Sequence, residues 1–366
     1  MKPIIPPVFP WKDHTKYTYP LGLDINGVCF LSGNSASEYD AQANKIVVKG
    51  DLTAQIDTAL AKIRAVLEAA GLSLADVISV IQYVTPQAFA SIQNIPGILE
   101  SYGVSGAAIH TVPVNRLMRR EALIELEVVA AGRDQKRKIV QTPAAIRVFS
   151  EPNDFVFVGE GFEPDEHGSD ASLESEIRRV ERLLEGMGTG WKSVGRCRLM
   201  LASASSAEVD EAVGALKKRI PDLPVMPAVG VVQLPAGQAH ISVEICASSG
   251  KAEPSRTVHG GLVRRFGSCL MATGLQSRDG TLSLVEQVED IYSSIVPEVL
   301  AEAGMEIRNT VQTVEWVTED VLPDYRQTGT TRRNLLREPF PVASGLVCSA
   351  LPNGRKVSVD IVAWSD

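Results

Sequence analysis

Three segments of this chain spell nearly the same strand. ALIELEVVAAG occupies residues 122–132, HISVEICASSG 240–250 and KVSVDIVAWSD 356–366. Each alternates apolar and polar residues and places an acid at the matching point: Glu127, Glu244 and Asp360, spaced by 117 and 116 residues. A glycine that closes an apolar-periodic segment recurs at those same spacings, as Gly71 in LEAAGLSL, Gly188 in LEGMGTGW and Gly304 in LAEAGMEI. A third marker, the glycine after an early apolar strand, falls at Gly33, Gly159 and Gly274, with spacings of 126 and 115 that put a longer loop in the first unit. Three markers in register define an internal repeat, which constrains the fold more than any local propensity does.

Each unit reads as ββαβαββ. A strand pair opens it: YTYPLGLD with GVCFLSG, AAIRVFSE with FVFVGE, and TVHGGLV with SCLMATG. In LTAQIDTALAKIRAVLEAAG the residues Ile56, Leu60, Ile63 and Leu67 recur at helical spacing, and Gly71 stands where a helix stops. A strand rich in β-branched residues follows (DVISVIQYVT, VGRCRLMLAS, NTVQTVEWVT), then a less regular helix that Pro96 should break or kink in the first unit, then two closing strands. The expected division is an N-terminal arm, 1–14, and units at 15–133, 134–252 and 253–366. Two helices per unit cover one sheet face only. Period-two alternation assigns Ile124, Leu126 and Val128 to that face and leaves Glu125, Glu127 and Val129 on the other. Three sheets turned toward one axis would shelter those second faces from water. The expected fold is therefore α+β, a pseudo-threefold barrel in one chain with helices outside.

Composition narrows the function classes. A net charge of −8 argues against a nucleic-acid or anionic-membrane surface. No apolar run approaches a membrane span, and the Pro-rich start MKPIIPPVFPWKDH lacks the continuous apolar stretch of a signal peptide. The five cysteines are scattered and never in a CxxC pair, which predicts reduced thiols in a cytoplasmic protein. The five histidines show no HxxxH or HxH spacing, so no protein-ligated metal is expected.

The segments FLSGN, LTAQIDTALAKIRAVLEAAGLSLADV, VPVNRL and IELEVVA resemble the Rid/YjgF-type proteins. VFVGE, MPAVGVVQLP and ISVEICA in the second unit, and LMATG, FPVASGLVCSALP and VSVDIVA in the third, resemble them more faintly. The resemblance implies single-unit relatives that form homotrimers with ligand pockets between subunits, many of which hydrolyse reactive imines or enamines to ketones and ammonia without a cofactor. It also marks departures. The family's carboxylate-binding Arg aligns with Ile109, Val229 and Ala343, none of which can grip a carboxylate. The family's pocket Glu aligns with Glu125, but with Ser242 and Ser358 in the other units. The layout is similar to that of cyanuric acid hydrolases and barbiturases, which need a Lys–Ser pair from each unit; the third unit holds only Lys356. Chorismatases also fuse Rid-like units, but none of their specific motifs is present.

The first unit keeps the most polar groups on two adjoining strands. Glu125 is the expected acid/base acting on water and His110 its helper; Thr111, Asn115, Arg116, Ser32, Gly33 and Glu160 are expected to bind substrate. Glu127, Glu244 and Asp360 are expected to build rather than act. Arg196 and Arg198 are expected to pair with Glu315 between units or to form an axial anion site, and Arg332 and Arg333 to form a solvated helix face. The expected function is a cofactor-free hydrolase or deaminase acting on a small nitrogen-containing or cyclic metabolite in an inter-repeat cleft. The alternatives are a non-catalytic binding or scaffold protein of the same fold, or a chorismatase-like enzyme. The expected assembly is a monomeric pseudo-trimer or a low-order homo-oligomer.

Overall fold

A computed structural model describes residues 1–7, 18–132, 137–142, 145–150, 155–159, 172–186, 188–220, 222–247 and 253–365. The fold is mixed α+β, and three of its sheets share one strand order. In the first, Lys2–Ile4, Gly22–Ile25 and Val28–Leu31 form an antiparallel meander, followed across the sheet by Ile124–Ala131, Val77–Val84 and Ala108–Pro113. The second runs Arg137–Thr142, Ala145–Ser150, Phe155–Gly159, Ala239–Ala247, Val194–Ala202, Ala228–Val231. The third runs Arg256–Val258, Gly261–Phe266, Cys269–Leu275, Val357–Trp364, Thr310–Thr318, Val342–Cys348. Each meander has one strand more than the pair read from the sequence. In the first sheet that extra strand, Lys2–Ile4, comes from the segment expected to be an arm.

The last two strands of each order run parallel. Parallel neighbours need a crossover, and helical segments supply it: Pro86–Asn94 with Ile95–Ser101, Ser206–Arg219, and Glu319–Gln327 with Thr328–Leu335. Pro96 does not kink a helix. It lies in the first turn of Ile95–Ser101, where a missing N–H costs nothing, so it starts the α-helix after a 3-10 segment.

The amphipathic helix forms over Leu52–Ala69, capped by the Asp51 carboxylate, which accepts from Ala54 N at 3.0 Å. Ile56, Leu60, Ile63 and Leu67 are buried against Ile124, Leu126 and Val128, the face assigned by alternation. This helix and its counterparts before Gly188 and Gly304 stop in the same way. The three glycines have φ of +73°, +68° and +69°. The next residues, Leu72, Thr189 and Met305, donate their N–H to the carbonyls of Leu67, Leu184 and Leu300 at 2.8–2.9 Å.

The second faces meet in a shared apolar cluster that includes Tyr83 and Val112, Met200 and Val229, and Trp316 and Leu346. Backbone bonds also cross between sheets. Arg116–Leu117 adds antiparallel to Leu346 and Val347 of the third sheet, and Gly230 N donates to Ala350 O at 2.9 Å. The recurring acids serve these contacts. Glu127 accepts from Gln312 Nε2 at 2.6 Å, from the Tyr83 hydroxyl at 3.2 Å and from Ser344 Oγ. Asp360 accepts from Gly274 N at 2.9 Å and Trp316 Nε1 at 3.0 Å, and burial raises its pKa. The side chain of Glu244 lies outside the described residues.

Arg196 and Arg198 do not pair with Glu315. Arg196 donates to Gln312 Oε1 at 3.2 Å and Arg198 to the Tyr83 hydroxyl at 3.3 Å, both fully within the inter-sheet core. Glu315 instead points outward from that core, toward Tyr292 of Ile291–Ile295 and Tyr325 of the crossover segment Glu319–Gln327. Cys29, Cys197, Cys269 and Cys348 are buried and form no disulfide. Among the described residues, no helix is long and apolar enough to cross a membrane.

Candidate active site

A chamber of about 230 Å³ opens between the first and third sheets. The first sheet supplies Glu125 from Ile124–Ala131, with Gly33, Ser35 and Ser37 from the loop and short strands that follow Val28–Leu31. The third supplies Thr313, Glu315, Ala343 and Ser344, and Tyr325 and Arg332 come from its crossover helices. The two walls are pinned by main chain: Gly33 N donates to Ala343 O at 3.1 Å, and Ala343 N donates to Ser32 Oγ at 3.0 Å.

Glu125 is 8% exposed, and none of the described residues hydrogen-bonds its carboxyl. Burial, then the neighbouring Glu127 carboxylate, push its pKa up to about 8, with Lys62 pulling the other way. Lys62 lies beneath the chamber wall on the helix Leu52–Ala69. Its ammonium donates to Ser35 O at 2.6 Å and to Ser37 O, and burial brings its pKa down to about 8. A buried acid and a buried amine thus both titrate near neutral pH, close enough to influence each other.

Glu315, the second carboxylate of the chamber, is already saturated. Tyr292 donates to Oε1 at 2.8 Å; Tyr325 at 2.7 Å and Arg332 donate to Oε2. The Arg332 guanidinium also lies 4.9 Å from the centre of the Tyr325 ring. Glu315 therefore holds Arg332 and Tyr325 in place, whereas the Glu125 carboxyl has no hydrogen-bond partner among the described residues. Arg332, expected on a solvated face, has a side chain only 15% exposed because this carboxylate draws it inward.

The other expected site residues divide. Gly33 lines the chamber with Glu125. Ser32 braces its wall, donating to Pro20 O at 2.7 Å. Arg116 lies farther out, 3.7 Å from Glu319. His110, Thr111 and Asn115 do not line the chamber. His110 is fully buried on the strand beyond Val77–Val84, opposite Ile81. Thr111 accepts from Gln82 Nε2 at 2.7 Å, and its carbonyl lies 3.3 Å from His240 Nε2 of the second sheet. Asn115 Oδ1 accepts from Val232 N at 2.8 Å. These three sit toward the second sheet, whereas Glu125 looks toward the third. Glu160 lies outside the described residues. Reading the sequence missed Lys62, Arg119, Tyr325 and Ser344. No sequence signal marked them, because nothing in the sequence says that the third unit forms the facing wall. Among the described residues, no three His, Cys, Asp or Glu side chains cluster as metal ligands would.

Comparison with known proteins matches this part of the chain. Residues 13–132 fit the family model described as Endoribonuclease L-PSP. A RutC family protein of Pyrococcus horikoshii is 41% identical over 85 residues, 23% of this chain; the chain spans 65% of the length of that curated relative. Among solved structures, Escherichia coli TdcF with bound serine is 25% identical, covering 31% of this chain and 87% of that one, with a TM-score of 0.27. The YjgF gene product of Escherichia coli is 23% identical, covering 36% of this chain and 94% of that one, also with a TM-score of 0.27. Residues 13–132 are thus similar to this family over about the first third of the chain.

Proposed function

We propose that the chain is a hydrolase or deaminase, requiring no cofactor, that acts on a small imine, enamine or cyclic amide in the cleft between the first and third sheets. The observation that carries this reading is Glu125: a carboxyl without a hydrogen-bond partner among the described residues, facing a small polar chamber, with its pKa raised to about 8. At neutral pH it is largely protonated, yet ionises easily, which suits an acid that must also act as a base. For an imine, Glu125 gives its proton to the nitrogen as water adds to the carbon. The carboxylate then takes a proton from the added water, returns it to the amine, and accepts the hydroxyl proton as ammonia leaves and the ketone forms. Thr313 and Ser35 offer hydroxyls to hold the water. His110, Thr111 and Asn115 act in this reading by supporting the strands behind the site.

Three further readings belong to the same proposal. The units at 15–133, 134–252 and 253–366 are three fused copies that enclose one axis as a pseudo-threefold barrel, which the shared strand order supports. The protein works in the cytoplasm. One chain stands in for a trimer, alone or in a low-order homo-oligomer.

A second reading, a small-molecule binding protein without turnover, is favoured by Ala343, which leaves the facing wall without the family's Arg. Ammonia release from 2-aminoacrylate-type imines and a panel of cyclic amides separates the two. Turnover that falls at least ~100-fold in Glu125→Gln, the scale of a lost general acid/base, supports the enzyme. No turnover on any member of the panel, with ligand binding retained, supports the binder.

A further inference from the structure

The Glu125 chamber does not end at its own walls. It continues outward into an open cleft of about 960 Å³, and Thr18, Tyr19, Met118, Arg119, Tyr325 and Arg332 line both. The outer cleft collects five arginines from three separate elements. Arg116 and Arg119 come from the segment joining the first sheet to the third, Arg326 from Glu319–Gln327, and Arg332 and Arg333 from Thr328–Leu335. Among the described residues one carboxylate, Glu319, lines the same cleft, and it lies 3.7 Å from Arg116. On a chain of net charge −8, this is a marked local reversal of sign. A concave surface lined by one sign of charge focuses its field on the opposite charge.

Two of the guanidiniums have no charge partner among the described residues. Arg332 is held by Glu315 and Arg116 stands beside Glu319. Neither Arg119 nor Arg326 has an ion pair or side-chain hydrogen bond among the described residues, and Arg119 is half-buried where the cleft narrows into the chamber. A helix face in water would spread its charges apart. Here two chain segments that are far apart in sequence bring theirs to one mouth.

We infer that the outer cleft is an oxyanion-binding site in which Arg119 and Arg326 hold a carboxylate or phosphoryl group of the ligand. The inner end of that ligand then reaches Glu125. The anion site stands on the geometry of the cleft; its part in positioning a substrate rests on the function proposed above. Arginine suits such a contact because its planar fork meets two oxygens at once. The cations come from the 116–119 segment and the crossover helices, not from the parallel edge strand where Ala343 stands.

Calorimetric titration of the full chain with inorganic phosphate and, separately, with succinate tests the site at low ionic strength. Binding of phosphate alone identifies a phosphoryl group, succinate alone a carboxylate, and both a general oxyanion site; any of these supports the inference if the affinity depends on the two arginines. Arg119→Gln and Arg326→Gln should each weaken binding at least ~10-fold, the loss of one charge-assisted hydrogen bond. Arg178→Gln, on the exposed face of Leu173–Gly186, should leave it unchanged. Arg119→Lys should bind with intermediate affinity, and thermal unfolding of each variant checks that the fold is kept. Phosphate and succinate are bound without being turned over, so the titration does not depend on catalysis by Glu125. Failure of the catalytic reading therefore leaves this result intact. Binding of neither anion, or equal affinity in Arg119→Gln, Arg326→Gln and Arg178→Gln, overturns the inference.

Discussion

Gly33 and Glu125 face each other so closely that the chamber exists only because Gly33 has no side chain. A Cβ at this position would overlap Glu125 Oε1 and stand 2.7 Å from Ser344 Oγ. The space it would fill is the part of the chamber that the Glu125 carboxyl faces.

Gly33→Ala should therefore displace the carboxyl rather than strain the backbone, since φ at Gly33 is not among the positive values. The expected outcome is at least a ~10-fold loss of turnover or ligand affinity with a stability cost of about 1–3 kcal/mol, typical of overpacking. Turnover, ligand titration and thermal unfolding of the variant check it. Wild-type behaviour would mean that the carboxyl has room elsewhere and that the chamber is not tightly built.

Glu125 should make stability depend on pH in a specific direction. A carboxyl whose pKa rises from 4.5 to about 8 on folding binds its proton more tightly in the folded state. Its favourable contribution is complete below pH 4.5 and is lost as pH rises through about 8. Glu125→Gln removes that dependence, so the difference in Tm, variant minus wild type, should grow from pH 5 to pH 9. Parallel melting curves across that range measure it.

Arg332 and Glu315 form a buried pair whose members depend on each other. Glu315→Gln or Arg332→Met alone should cost about 3–5 kcal/mol by leaving one charge uncompensated, and the double variant should recover much of the loss. Urea unfolding of the four proteins gives the coupling. If the single losses simply add, the pair is not the structural unit described above.

The three helix stops offer a test of the repeat. Gly71, Gly188 and Gly304 have nearly equal φ and equivalent hydrogen bonds. Replacing each with Ala should cost about 1 kcal/mol, the penalty for a side chain in the left-handed region. Equal costs at the three sites, read from urea unfolding, are the expected result; a site with no cost would have a different local structure from its counterparts.

Much of the fold was legible because periodicity is a local property. Alternation in IELEVVA assigned Ile124, Leu126 and Val128 to the helix side, where they pack, and left Glu125 and Glu127 on the other. Comparison of the three segments also separated the recurring acid, Glu127, from Glu125, which the other two replace with Ser242 and Ser358. The rest of the site was hidden because it is assembled across the repeat. Arg332 looks like a surface residue in GTTRRNL until its helix is laid beside the third sheet, where Glu315 takes its charge. His110 looked like a partner for Glu125 because the two lie on strands of one unit. Val77–Val84 separates those strands, and the polar groups around His110 turn toward the second sheet. Charge partners of this kind depend on which unit forms the opposite wall, and spacing within one unit does not carry that.

The proposed chemistry requires a Glu125 carboxyl that holds its proton near neutral pH. Carboxyl carbon resonances of the protein labelled with 13C at the glutamate side-chain carboxyl, followed against pH and assigned by the signal missing from Glu125→Gln, measure this directly. A midpoint near 8 for that resonance is the predicted result. A midpoint near 4.5 would show an ordinary ionised carboxylate in the cleft and would contradict its role as the acid of the reaction.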